Sequence, residues 1–203
     1  PEDSEGYVSK AVEILEGNIK HVDSLILGPG FGLAEPTQAF VHQLLERTPD
    51  KCPVLIDADG LKLLSRRERW WEKLPEKTIL TPHPGEMAVL TGLTVDEIQA
   101  DRWGAASRFA QEWGITLILK GAMTVVATDK GDLFINPISD PSLATAGSGD
   151  VLSGLIGGLL AQGVSPKAAS IAGVWLHSQA GIKAGKRLGT ETSVTAVDIL
   201  DCI

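Results

Sequence analysis

Short apolar runs punctuate this chain at intervals that leave room for a helix between most of them. Val22–Leu27, Pro53–Ile56, Thr78–Leu80, Thr116–Gly121, Thr124–Ala127 and Leu133–Ile135 are each too short for a buried helix. Gly, Pro or Asp residues bound most of them, so they predict strands. The stretches between them predict helices. Val8, Val12, Ile14 and Leu15 share a helical spacing that ends at Gly17, after a polar, loose Pro1–Gly6. Pro36 suits the first turn of a helix reaching Arg47. Leu61–Leu64, a helix through Leu90, one long helix Val95–Trp113, and two apolar helices Asp150–Ala161 and Pro166–Lys186 complete the pattern. Alternating strands and helices predict an α/β fold, a mostly parallel sheet covered by helices on both faces. The two β-branched runs around Gly121-Ala122-Met123 predict a paired hairpin instead.

The loops that follow the predicted strands carry the candidate chemistry. Gly28-Pro29-Gly30-Phe31-Gly32 places bare backbone at a strand's C-terminal end, where open parallel sheets bind ligands; an ordinary βα turn explains it equally. Asp57-Ala58-Asp59 offers carboxylates that could hold a metal-bound water or a substrate hydroxyl, or cap the next helix. In Thr81-Pro82-His83-Pro84-Gly85-Glu86 two prolines restrict the backbone around His83, with Glu86 three residues on. Lys120, ending a strand, is a candidate phosphate contact. Ala144-Thr145-Ala146-Gly147-Ser148-Gly149-Asp150 reads as a tight loop entering a helix. Gly147 and Gly149 suit φ > 0, and the amides there would form an anion nest. Asp150 repels phosphate, so it is placed to accept a proton from a neighbouring hydroxyl, or it is an N-cap. Trp70 and Trp71 read as a packing patch.

Composition narrows this little. The 203 residues suit one α/β domain, and a net charge of −8 with dispersed lysines and arginines gives no surface for nucleic acid. Cys52 and Cys202 lack metal-type spacing, which suggests reduced thiols and a cytoplasmic setting. No run reaches membrane-span length. The chain begins at Pro1 without a methionine, as a fragment or a processed protein would.

Taken in order, the Gly28–Gly32, Asp57–Asp59, Thr81–Glu86, Lys120–Val125 and Ala144–Asp150 motifs closely resemble the ADP/ATP-dependent NAD(P)H-hydrate dehydratases of the ribokinase-like superfamily. The resemblance implies a ribokinase-like sheet and repair of hydrated NADH or NADPH. A nucleotide phosphate would pass to the ring hydroxyl and then leave, restoring the double bond. It implies Asp150 as the catalytic base on the substrate hydroxyl, and Gly30, Gly32, His83 and Glu86 as substrate contacts. It implies nucleotide binding by Lys120, Gly121, Ala122, Met123, Thr124, Ala146, Gly147, Ser148 and Gly149. ADP or ATP is the implied phosphate donor. Mg²⁺ would be held mostly by phosphates and water rather than by a dedicated protein site. His83 and Glu86 stand where superfamily kinases have Asn-x-x-Glu.

Two departures accompany the resemblance. Ser139-Asp140-Pro141 stands where the family usually has Gly-Asn-Pro, adding a carboxylate on the nucleotide's approach. Family members also carry several dozen residues before the point matching Pro1. Residues 1–203 are therefore expected to form one domain, incomplete at its N-terminus, that either belongs to a longer protein or covers its exposed sheet edge by homo-oligomerisation. Two other readings stay open: a kinase for a vitamin-precursor alcohol, and a nucleotide-binding module without turnover.

Overall fold

The computed structural model describes residues 4–203, with side chains described from Lys10 onward. Strands β1 (Leu25–Leu27), β2 (Val54–Ile56), β3 (Thr78–Leu80), β4 (Thr116–Leu119), β5 (Val125–Ala127) and β6 (Leu133–Ile135) form one sheet in sequence order. β1 to β4 are parallel, while β4–β5 and β5–β6 are antiparallel. The expected mostly parallel sheet with a hairpin at Gly121–Met123 is what the chain forms.

Because neighbouring side chains on a strand point to opposite faces, the strands feed two cores. Val54, Ile56, Leu80, Leu117 and Leu119 pack with α2 (Glu35–Arg47), α3 (Asp59–Leu64), α4 (Pro84–Thr91) and α6 (Arg102–Trp113). Leu55, Ile79, Ile118 and Val126 face Leu152 and Ile156 of α7 (Ser148–Ala161) and Ala169 and Val174 of α8 (Pro166–Leu188). A third cluster, with Val194 and Ile199, seats the short α9 (Ala196–Leu200) on α8. Trp70 is buried against Trp113, with ring centroids 4.7 Å apart, and Trp71 completes the packing patch.

Several elements differ from expectation. α1 (Ser4–Ile19) starts inside the supposedly loose stretch and runs through Gly17; Pro1–Asp3 lie outside the described residues. Its buried residues are Val12 and Ile19, two turns apart, while Ile14 is exposed, and Val8 belongs to the residues whose side chains are not described. The long helix is two, α5 (Val95–Ala100) and α6, broken at Asp101, whose backbone leaves the helical region. Its carboxylate accepts from the Gly104 amide and so starts the second helix. The first strand is shorter than expected, spanning only Leu25–Leu27.

Candidate active site

The loops after β1, β2, β3 and β4 all lie at the C-terminal edge of the parallel strands, and α7 begins against that edge. Asp57, at the end of β2, is 1% exposed. Its Oδ1 accepts from Lys120 Nζ at 2.7 Å and from the Ala58 amide at 2.9 Å, and its Oδ2 accepts from Ser153 Oγ at 2.7 Å. One carboxylate thus joins β2, β4 and α7. A buried carboxylate needs such compensation, because desolvation disfavours its charge. Neither Asp57 nor Asp59 caps α3 with its side chain: the N-cap is Ala58, held at φ 51°. Asp59 accepts from the Gly32 amide at 3.0 Å and so ties the glycine loop after β1 to β2. Gly28 is required by close approach, since a Cβ there would lie 1.9 Å from the Asp57 carbonyl oxygen.

His83 is the N-cap of α4 in a reciprocal box. Its Nδ1 accepts from the Gly85 and Glu86 amides at 3.0 and 3.2 Å, and Glu86 Oε2 accepts from the His83 amide at 2.8 Å. With Nδ1 an acceptor, a neutral ring carries its proton on Nε2, which lies 3.4 Å from Glu86 Oε1. The buried Glu86 also lies 3.8 Å from Lys120 Nζ. Lys120 is therefore not a free cation but one held between two carboxylates.

The glycine loop differs in detail from its expected form. Gly147 is the N-cap of α7 at φ 82°, so Asp150 is not; it falls in the first turn and is exposed. Gly149 does not have a positive φ. It lies against the buried ion pair: a Cβ there would be in ordinary contact, 3.4 Å from Lys120 Nζ and 3.7 Å from Asp57 Oδ2. The Ser148 amide already donates to the Thr145 carbonyl at 3.2 Å. Among the described residues the amides of Gly147, Gly149 and Asp150 have no internal acceptor, which leaves them free for an anion.

A cavity of about 630 Å³ opens between this nest, the β4–β5 hairpin and α8. His83, Lys120, Gly121, Ala122, Thr124, Ser148 and Gly149 line it, as do Leu152, Val174 and His177. Gly30, Gly32, Glu86, Met123, Ala146, Gly147 and Asp150 are not part of its lining. Asp140, the residue that departs from the family pattern, lines it too, but its Oδ1 is engaged by the amide and hydroxyl of Ser142. Arg102 reaches from α6 and donates to the carbonyls of Leu119 and Lys120, which anchors the start of the hairpin loop. The sequence marked Asp57 as a candidate carboxylate but not its pairing with Lys120 and Ser153, and it did not mark Arg102 or His177.

A family model described as NAD(P)H-hydrate dehydratase matches residues 7–203. The chain belongs to the NAD(P)H-hydrate dehydratase family. It is 42% identical over 202 residues to a bifunctional NAD(P)H-hydrate repair enzyme of Moorella thermoacetica, covering 99% of this chain and 38% of that protein. It is also 42% identical over 161 residues to the ADP-dependent (S)-NAD(P)H-hydrate dehydratase of Neisseria meningitidis, covering 78% and 54%. The structure superposes on the ADP/ATP-dependent NAD(P)H-hydrate dehydratase of Bacillus subtilis, co-crystallised with ATP/Mg²⁺, with a TM-score of 0.77 at 33% identity, covering 89% of this chain and 62% of that one. This dehydratase-family chain thus spans between 38% and 62% of the length of these relatives.

Proposed function

We propose that the chain carries out nucleotide-dependent dehydration of hydrated NADH or NADPH, with ADP or ATP as phosphate donor and Mg²⁺. The observation that carries this is the convergence of Lys120, the free amides of Gly147, Gly149 and Asp150, and the exposed Asp150 carboxylate at one sheet edge, in a member of the dehydratase family. The residues fit a nucleotide: a cavity of suitable size carries donors at one end and apolar wall at the other. Among the described residues no group of three or more His, Cys, Asp or Glu is placed to hold a metal ion. In this reading Mg²⁺ is carried mainly by phosphates and water.

When bound, the nucleotide supplies the phosphoryl group that turns hydroxide, a poor leaving group, into phosphate, a good one. Asp150 accepts the proton of the ring hydroxyl as it attacks. The amides at the start of α7 and the Lys120 ammonium stabilise the charge on the transferring group. Gly121, Ala122, Met123, Thr124, Ala146 and Ser148 border the nucleotide, and Gly30, Gly32, His83 and Glu86 border the hydrated ring. Residues 1–203 act as one domain. In the same reading the chain is cytoplasmic, consistent with two free buried cysteines and with no described helix long and apolar enough to cross a membrane. Self-association would cover Ile26 and Val22 near the β1 edge, and light scattering measures it.

The deciding experiment incubates the chain with hydrated NADH, ADP or ATP, and Mg²⁺, and follows the near-ultraviolet absorbance of the reduced ring. Recovery is the expected result. Nucleotide consumption only with an added alcohol would replace the dehydratase with a kinase, and binding without turnover would leave a nucleotide-binding module.

A further inference from the structure

We infer that His177 is a positioning residue for the nucleotide phosphates, acting through the hydroxyl of Ser148; this rests on the dehydratase reading of the cavity. Ser148 opens α7, yet its amide is spent on the Thr145 carbonyl, so its hydroxyl is what it can offer a ligand. That hydroxyl lies 3.1 Å from Nε2 of His177, on α8. Both side chains line the cavity beside Lys120 and Gly149, and both are buried, with His177 7% exposed. An imidazole set into a wall shared with Leu152 and Val174 is costly unless its polar edge is used.

The direction of the bond follows from what the cavity receives. If the hydroxyl donated to Nε2, its oxygen lone pairs would face the cavity and repel a phosphate. If Nε2–H donates to Oγ, the hydroxyl proton is left free to point at the anion. An anion in the cavity therefore selects the second arrangement, and the neutral Nε2–H ring supplies it. Burial holds His177 down at about 4, opposed by a hydrogen bond to the Ser148 backbone and aided by the nearby Lys120 ammonium, so the ring is neutral at physiological pH. The other titratable groups lining the cavity are Lys120, His83 and Asp140.

Calorimetric titration of ADP with Mg²⁺ into the wild-type chain, Ser148→Ala, His177→Phe, their double variant and His177→Gln tests this. Each of the first two substitutions is expected to weaken binding ~10-fold, the scale of one hydrogen bond to a charged ligand. The double variant should be no weaker than either single one, because both remove the same contact. His177→Gln, whose amide reaches the Nε2 position, should stay within ~3-fold of wild type and remain so at mildly acidic pH. Additive losses in the double variant, or a glutamine variant as weak as the phenylalanine one, overturn the inference and leave the dehydratase reading standing. A wild-type chain that takes up no ADP overturns both. Thermal melts confirm that the variants are folded. If His177→Phe is not, His177→Asn, too short to reach Ser148, replaces it in the same contrast with His177→Gln.

Discussion

The two sides of the sheet's C-terminal edge are built differently. On the β4–β5 side, Lys120, Gly121 and Thr124 sit in the connection between two strands that each have neighbours on both flanks, and α7 and α8 roof them into a cavity. On the β1 side, Gly30 and Gly32 are exposed, outside that cavity, beside a strand that among the described residues is paired on one flank. Asp150 lies at the seam, its backbone part of the nest and its carboxylate open. The contrast separates two tasks. On the proposed function, the nucleotide would be held by the roofed Lys120 network, and the second substrate would meet the open loop after β1.

The sharpest way to break this division is at the seam. Asp150→Asn is expected to lower turnover by roughly 10²-fold or more while leaving ADP affinity nearly unchanged, because the amide of residue 150 stays in place. Steady-state kinetics beside calorimetry would read both, and near-normal turnover would remove Asp150 from the chemistry.

Next in size is Lys120→Ala. It should weaken ADP binding by ~10- to 100-fold, as expected for loss of a charged donor. It also leaves Asp57 buried without its cation, which destabilises the fold by about 3–5 kcal/mol. Adding Asp57→Asn should recover part of the stability but not the affinity. Denaturant titration with calorimetry distinguishes the two effects, and recovery of both together would mean that Lys120 serves only the fold.

A smaller effect is tied to pH. His177 is held at about 4 in the folded chain, against 6.5 when unperturbed. Between these values the unfolded state binds more protons than the native one. Stability present above pH 6.5 is therefore lost as pH falls through the window, by up to about 3 kcal/mol. His42, lowered by burial and by Arg67, adds a loss of the same sign. Urea titrations across this range should show a flatter profile for His177→Gln, and an unchanged slope would count against the burial argument.

The smallest effect concerns Asp140. Its Oδ1 serves as the cap for Ser142, and an asparagine keeps that acceptor. Asp140→Asn, the family's usual residue, should change stability by less than ~0.5 kcal/mol. Any change in ADP affinity would then report the carboxylate's charge at the cavity wall.

The strands were legible because each is a short apolar run with a turn at its end, as Thr78–Leu80 and Leu133–Ile135 show. Gly17 misled, since packing of α1 on α2 overrides one weak helix former. The break at Asp101 was readable in principle from an Asp three residues before Gly104. The same holds for α9, which opens with the capping box Thr195–Asp198. The site divides similarly. Glycines and Lys120 announce themselves by position after a strand. The partners that hold them do not, because Asp57 is 63 residues from Lys120 and 96 from Ser153. His177 sits in an apolar helix with no local pattern to distinguish it from a core residue.

Those separations bear on how the molecule assembles. The parallel strands and their helices on one face are made of near neighbours in sequence, from β1 through α6. Among the described residues the opposite face is closed by α7 and α8, which return to cover β1, β2, β3 and β4. During synthesis the apolar side formed by Leu55, Ile79 and Ile118 therefore stays wet until the last quarter of the chain has emerged. Asp57 and Lys120 can meet earlier, but Ser153 and the glycine nest cannot. The contacts that close this face are the long-range ones, the class that topology makes slowest to form. On the proposed function, nucleotide capture would therefore report the closure of this face.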